Sequence, residues 1–530
     1  MWISSQTAAW AGTAEVIASL PTLTEAGRHE LRATARTPMS PEAWREDRSA
    51  LLSLESAESA HPGLLAAVAA QLRGLGALGE VIGRVRGGVV PELADLFRVK
   101  QVVRAVLEVG SLLAASGVSD GVPGQYRDGW ESVFGWLHLQ GDPDSRFVLS
   151  DGHDERLRGA RSSLAAALRR EFEAAGAARR EAESRIGTRL SRELECSASD
   201  RDPHAAALRD DPGFELVARI GGELRYRLRR EGAWAEASGQ VEQARARLLE
   251  LETEVLRRLG ERLAGAAGAL EAADAWVVAL DLRLARIELR RRWDGCWPEP
   301  GGLLSLDRGR LPWLDQPERP FVAQTFALRR GVSTLVGANM GGKSVALRLA
   351  ALVQWCGQRG MPAPARAVTF VEADWIEVVA GELGDPRHGL SSFGGEVDTW
   401  RRLLERGGTG VVLADEPCRT TNPAEGAALA DALVTCLARR PHWAMVATHF
   451  AGVGADAIAR YRIAGLAAGL LPRDLDALHR AMDYRIILSD AEPPHDALRI
   501  AEALGLADEV LDIARRRLAA PPGASRETEP

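Results

Sequence analysis

The run Gly337-Ala338-Asn339-Met340-Gly341-Gly342-Lys343-Ser344 follows a short apolar stretch, Val332 to Val336, and precedes a helical pattern. It fits GxxxxGK[ST], a loop whose glycines let backbone N–H groups face phosphates while the next helix N-terminus adds a favourable dipole. In such a loop Lys343 pairs with the β- and γ-phosphates, and the Ser344 hydroxyl ligates Mg²⁺. The expected cofactors are therefore ATP and Mg²⁺. Of 66 basic residues only Lys100 and Lys343 are lysines. A lysine kept at this position against so strong an arginine bias points to a demand for a compact ammonium.

Two later apolar runs end in groups that complete such a site. Val411-Val412-Leu413-Ala414 leads into Asp415-Glu416. Asp415 is placed to hold the Mg²⁺ shell, and Glu416 to orient or deprotonate the attacking water. Ala444-Met445-Val446-Ala447 leads into Thr448-His449, and His449 is placed to sense the γ-phosphate.

These residues need a scaffold, and the surrounding texture supplies one. From the Trp297-Pro298-Glu299-Pro300-Gly301-Gly302 segment, which reads as a linker, to about residue 520, short β-rich runs alternate with helical patterns. That is the signature of a parallel α/β sheet. Upstream, Leu64 to Leu78 and Leu93 to Leu113 carry helix-period apolar spacing. Two stretches of strong helix formers, Glu155 to Glu195 and Gln240 to Arg292, exceed ordinary helix length and read as arms packed on each other. Between them Phe214 to Ile220 and Glu223 to Arg229 alternate as a small hairpin does. The 530 residues exceed what one core organises, and the five scattered cysteines form no CxxC pair, which fits reduced thiols in a cytoplasm. No long uncharged apolar run reads as a membrane span. The net charge of −7 argues against a surface that coats nucleic acid throughout, while leaving room for a local basic patch.

Taken together the motifs resemble the MutS family. Asn339 to Ser344 matches its Asn-Met-Gly-Gly-Lys-Ser. Gly389 to Glu396 is similar to its loop Gly-x-Ser-Thr-Phe-x-x-Glu, whose serine reaches the partner subunit's γ-phosphate. The resemblance thus implies a composite site with Ser391 acting in trans, in a homodimer or a heterodimer with a related MutS-like chain. Phe321-Val322-Ala323-Gln324 is similar to the family's Phe-Ile-Ala-Asn, whose aromatic stacks on adenine, so Phe321 inherits that role while Gln324 departs from the pattern. Arg419, Thr421, Asn422, Pro423, Glu425 and Gly426 follow the family's spacing after Asp415-Glu416, although Pro417 and Cys418 are unusual there. Ala497 to Glu502 and Leu504 to Leu506 resemble the C-terminal helix-turn-helix used for dimer contact, and Thr24 to Arg28 resembles the start of the core domain.

The implied fold is an α-helical core with lever arms followed by an α/β P-loop ATPase domain, an ABC-like head. The expected divisions are a core over 1–135, lever helices with a reduced clamp over 136–300, the ATPase domain over 301–520 and a disordered tail over 521–530. No Phe-x-Glu mismatch wedge occurs in residues 1–60, so mismatch reading is not expected. Two client classes follow from the resemblance. One is double-stranded DNA, gripped by its structure in a mismatch repair-related role, with Arg225, Arg227, Arg229 and Arg230 as the best phosphate-binding cluster. The alternative is a protein client, as for the ATPases that reactivate the cobalamin-dependent enzyme lysine 5,6-aminomutase.

Overall fold

The computed structural model describes residues 2–118, 123–139, 145–199, 201–317, 320–337, 342–380, 392–450, 452–466, 481–489 and 497–519. The chain divides into two units, one of Leu75–Ser111 with Val122–Val277, the other of Met1–Gly74, Leu112–Gly121 and Val278–Pro530. No single helix among the described residues is long and apolar enough to cross a membrane.

In the first unit two long helices, Arg156–Ile186 and Gly232–Gly265, run along each other. Ion pairs such as Arg156 to Glu254 at 2.8 Å, and the Ser238 hydroxyl donating to Glu171 at 2.6 Å, lace the seam. The second arm is not the single rod expected from composition. It breaks at Ala266 and resumes as the helix Ala267–Trp293 at 69°. Gly265 and Gly268 flank the break, and glycine is where a helix bends at least cost.

The polar segment between the arms forms an antiparallel sheet of β1 (Glu195–Ser199), β2 (Phe214–Ile220) and β3 (Glu223–Leu228), in the order β1-β3-β2. The expected hairpin is β2–β3. Its two-residue loop, Gly221 and Gly222, has φ of 59° and 90°, values that a tight hairpin demands and that glycine adopts freely. Along β3, Leu224, Tyr226 and Leu228 face inward while Arg225 and Arg227 stay exposed. Glu195 on β1 answers both arginines, Arg227 at 2.6 Å and Arg225 at 3.8 Å.

The other unit holds two sheets. The smaller, in the order β4-β8-β5-β6, contains β4 (Glu299–Pro300), β5 (Leu304–Gly309), β6 (Gln324–Leu328) and β8 (Ala367–Phe370). The larger contains β7 (Gly331–Val336), β9 (Trp375–Ala380), β10 (Gly410–Asp415), β11 (Trp443–Thr448), β12 (Ala459–Leu466) and β13 (Met482–Leu488). Their order is β13-β12-β7-β11-β10-β9, with every pairing parallel except β12–β13. Beside β9, the segment at Trp2 and Ile3 pairs with Ile376, covering an edge that would otherwise expose unpaired backbone. The residues expected to be a linker are tied down: β4 pairs with β8, and the Trp297 ring lies 5.2 Å from the Arg48 guanidinium. Two-residue β4 sits at the sheet's edge, where Pro300 forfeits no ladder bond.

The helix Lys343–Gln358 lies between these sheets, packed on β10 and β11 on one side and on β5 and β8 on the other. Leu347, Leu349, Leu352, Val353 and Trp355 around its circumference are each fully buried, which explains its all-round apolar sequence. Two carboxylates dock the helix Ala267–Trp293 against neighbouring segments. Asp281, fully buried, accepts from Leu23 N, Thr24 N and the Thr24 hydroxyl at 2.8, 2.9 and 2.6 Å. A Cβ on Gly27 would lie 2.3 Å from the same carboxylate, so only glycine fits there. Asp47 receives Arg286 at 2.6 Å and Arg283 at 3.0 Å, while Arg286 also donates to Gly360 O at 3.1 Å. Burial pushes the Asp47 carboxyl up, but the two guanidiniums outweigh it and leave its pKa below the ordinary value. A depressed folded-state pKa contributes stability above the unfolded value and loses it as pH falls through the folded one. Asp47→Asn should therefore unfold at lower urea concentration than the parent at neutral pH, with the gap closing as pH drops through and below the normal aspartate range. A gap independent of pH would show that charge is not what Asp47 supplies.

Candidate functional site

Three parallel strands, β10, β11 and β7, lie side by side, and their C-terminal ends carry the predicted polar residues. At β7 the chain leaves the sheet at Gly337, and Gly342 opens the helix from the left-handed region at φ 88°. Asn339 and Gly341 lie outside the described residues. The helix begins with Lys343 itself, whose side chain is 5% exposed by residue and returns to donate to Gly337 O at 2.7 Å. Its ammonium lies 3.1 Å from Glu416 Oε1. Ser344, next on the helix, hydrogen-bonds the Asp415 carboxylate.

Asp415 ends β10 and Glu416 follows it. Their environments act in opposite directions. Burial, then the neighbouring Glu416 charge, raises the Asp415 pKa against the Ser344 hydrogen bond and the Lys343 charge. Burial also raises Glu416, but Lys343 first, with His449 and Arg419, more than offsets it and lowers the Glu416 pKa. Arg419 lies 3.3 Å and His449 Nδ1 3.6 Å from Glu416 Oε2. Asp415 Oδ1 is buried and has no hydrogen-bond partner among the described residues. A buried carboxylate oxygen left unanswered beside a serine hydroxyl is the hard-oxygen donor set that suits Mg²⁺, so these residues fit the ion.

The backbone here is strained. Glu416 (φ 50°) and Cys418 (φ 61°) both sit in the left-handed region without being glycine. Glu416 N is held by Ala447 O at 2.9 Å, so β11 fixes the first of them. Glu396, 7% exposed, holds the second by accepting from Cys418 N at 2.8 Å, and it also accepts from Trp400 Nε1 at 3.3 Å. A Cβ on Gly426 would lie 2.8 Å from Cys418 O and 3.0 Å from Phe450. Phe450 in turn packs its ring 4.5 Å from His449. Asn422 caps the helix Pro423–Ala438 by accepting from Ala424 N.

The structure thus brings Lys343, Ser344, Asp415, Glu416 and His449 together, flanked by Gly337 and Gly342. Phe321 stands in the approach to β6, half-buried against the core, with its N–H donating to Asp315 at 2.9 Å. Gln324, where the motif departs from its pattern, is a bracket: it donates to Tyr484 O at 2.9 Å and accepts from Ile486 N at 3.1 Å, joining β6 to β13. Tyr484 had no motif to mark it, yet a Cβ on Gly342 would meet its ring at 3.4 Å. Ser391 lies outside the described residues. Glu396 was legible as a motif position, but its contact with Cys418 was not.

Residues 333–520 match the family model for MutS domain V. The chain is 32% identical over 270 residues to Endonuclease MutS2 of Thermus thermophilus, covering 50% of this chain and 34% of that protein. It is 30% identical over 270 residues to DNA mismatch repair protein MutS of the same species, covering 51% and 32%. Endonuclease MutS2 of Pelotomaculum thermopropionicum is 30% identical over 278 residues, covering 50% and 34%. The matched region spans about a third of the length of these curated relatives.

The Lys343–Glu416 pair gives a measurable coupling. Lys343→Ala leaves the half-buried Glu416, among the described residues, with the more exposed Arg419 and His449, and should lower the unfolding free energy by about 1–3 kcal/mol. Adding Glu416→Gln removes the uncompensated charge and should recover part of that loss. Strictly additive losses in the double variant would show that the two groups do not interact.

Proposed function

From its membership of the MutS family, carried by the domain matched at residues 333–520, we propose that the chain binds and hydrolyses ATP. The observation that carries this reading is the convergence of Lys343, Ser344, Asp415, Glu416 and His449 at the C-terminal ends of adjacent parallel strands. Ligands of open α/β sheets sit at that edge. Ser344 and Asp415 would hold Mg²⁺, which when bound supplies charge neutralisation between the β- and γ-phosphates. Lys343 is shared: a triphosphate competes with Glu416 for the same ammonium. As the ammonium turns to the phosphate, Glu416 is released to take a proton from the attacking water, and His449 stands beside it. Phe321 stacks on the adenine.

The site works as a dimer, with Ser391 reaching the phosphate bound by a partner, either a second copy or a related chain. The client is duplex DNA, engaged through its structure and not through mismatches. The Arg225 and Arg227 face of β3 and the DNA-directed names of the relatives support that reading.

Glu416→Gln should bind ATP as the parent does and hydrolyse it slowly, trapping the ATP-loaded form. That form should bind duplex DNA with an affinity that falls steeply with salt, the mark of phosphate contacts. Parental turnover in Glu416→Gln at saturating ATP would remove the base from Glu416, and salt-independent or absent DNA binding would remove the client.

Mixing Lys343→Ala with Ser391→Ala tests the trans contact. A mixed dimer pairs one intact loop around Lys343 with one intact Ser391, so ATP turnover should partly return. Co-purified mixed dimers as inactive as either parent variant would place Ser391 outside the partner's site.

A further inference from the structure

The loop that presents Glu416 holds two non-glycine residues in the left-handed region within three positions. Such a conformation relaxes unless its surroundings over-determine it. The restraint on Glu416 comes from the sheet, through Ala447 O. The restraint on Cys418 comes from a side chain. Glu396 is buried, reaches Cys418 N at 2.8 Å, and is itself steadied by Trp400 one turn along the helix Ser392–Glu405. On the opposite side, the Cys418 carbonyl is packed against Gly426, where no side chain could fit. The peptide on either side of Cys418 is therefore clamped between a carboxylate and a helix start.

We propose that Glu396 is a positioning residue for hydrolysis, holding the loop Glu416–Cys418 in its left-handed form so that the Glu416 carboxylate faces Lys343. The inference rests on the reading of Glu416 as the catalytic base. What the loop needs from Glu396 is one acceptor oxygen at the right reach. The negative charge is incidental, because both observed donors, Cys418 N and Trp400 Nε1, are neutral N–H groups. The helix that carries Glu396 starts at Ser392, so the residue that follows Ser391 and the residue that restrains Glu416 belong to one rigid element.

Two conservative variants separate reach from charge. Glu396→Gln keeps an oxygen at the same distance and loses the charge, whereas Glu396→Asp keeps the charge and draws the oxygen back by one methylene. The expected result is near-parental kcat in Glu396→Gln, and in Glu396→Asp a kcat reduced roughly tenfold or more with the KM for ATP within about twofold of the parent. Melting temperatures of both variants are measured alongside, and nucleotide binding reports on folding at the site. If Glu396→Gln falls as far as Glu396→Asp, the charge matters and the positioning role is overturned. It is overturned equally if Glu396→Asp keeps parental kcat, or loses ATP binding in proportion to activity. Glu416→Gln run in parallel distinguishes the two levels. Parental turnover in Glu416→Gln discards the underlying reading. A slow Glu416→Gln beside a fully active Glu396→Asp discards this inference alone.

Discussion

An ammonium removed from water must find its compensation in the protein, and at Lys343 that requirement shapes everything around it. The side chain turns back over its own loop to Gly337 O and across to Glu416. The helix that starts at Lys343 must therefore emerge directly above the ends of β10 and β11. That places the helix in the layer between two sheets, where every face is apolar. A polar residue on any side of it would be stranded, and the sequence Val345 to Cys356 has only Arg348 and Gln354 to accommodate. Gln354 is buried and fully engaged, donating to Val371 O and accepting from Val371 N.

The second constraint is backbone strain. Two carboxylates in succession at a strand end would point to opposite sides of the chain if the strand simply continued. The left-handed turn at Glu416 breaks that alternation and brings both carboxylates to one face, one beside Ser344 and the other beside Lys343. The loop keeps this geometry because neighbours on three elements restrain it: β11 through Ala447, the helix Ser392–Glu405 through Glu396, and the helix Pro423–Ala438 through Gly426.

How much of this was legible depended on whether the deciding interaction was local. The strands β7, β10 and β11 were readable because buried parallel strands need unbroken apolar runs, and the residues expected at their ends, Lys343, Asp415, Glu416 and His449, do converge there. The hairpin of β2 and β3 was legible in the alternation of Phe214 to Ile220 and Glu223 to Arg229. Non-local effects were not readable. The left-handed φ of Glu416 and Cys418 is imposed by partners far along the chain, and no propensity encodes it. The break at Ala266 was hidden because alanine and the flanking leucines favour helix strongly enough to mask two glycines. Trp297 to Gly302 carries linker composition, and only the Arg48 and β8 contacts show it to be anchored. Gln324 departs from the motif because this chain uses its amide to join β6 to β13.

The helix Lys343–Gln358 has 16 residues and so is roughly 24 Å long at 1.5 Å per residue. Packed on all sides at interior density, it behaves as a strut that transmits displacement along its axis and does not absorb it. At one end is the lysine ammonium. At the other, the Gly357 and Gly360 carbonyls receive Trp44 and Arg286, and Arg286 is bolted to Asp47 on one of the helices nearest the chain's start. Arg286 belongs to the helix Ala267–Trp293, so the far end of the strut is fastened to the same helix that Asp281 holds at Thr24.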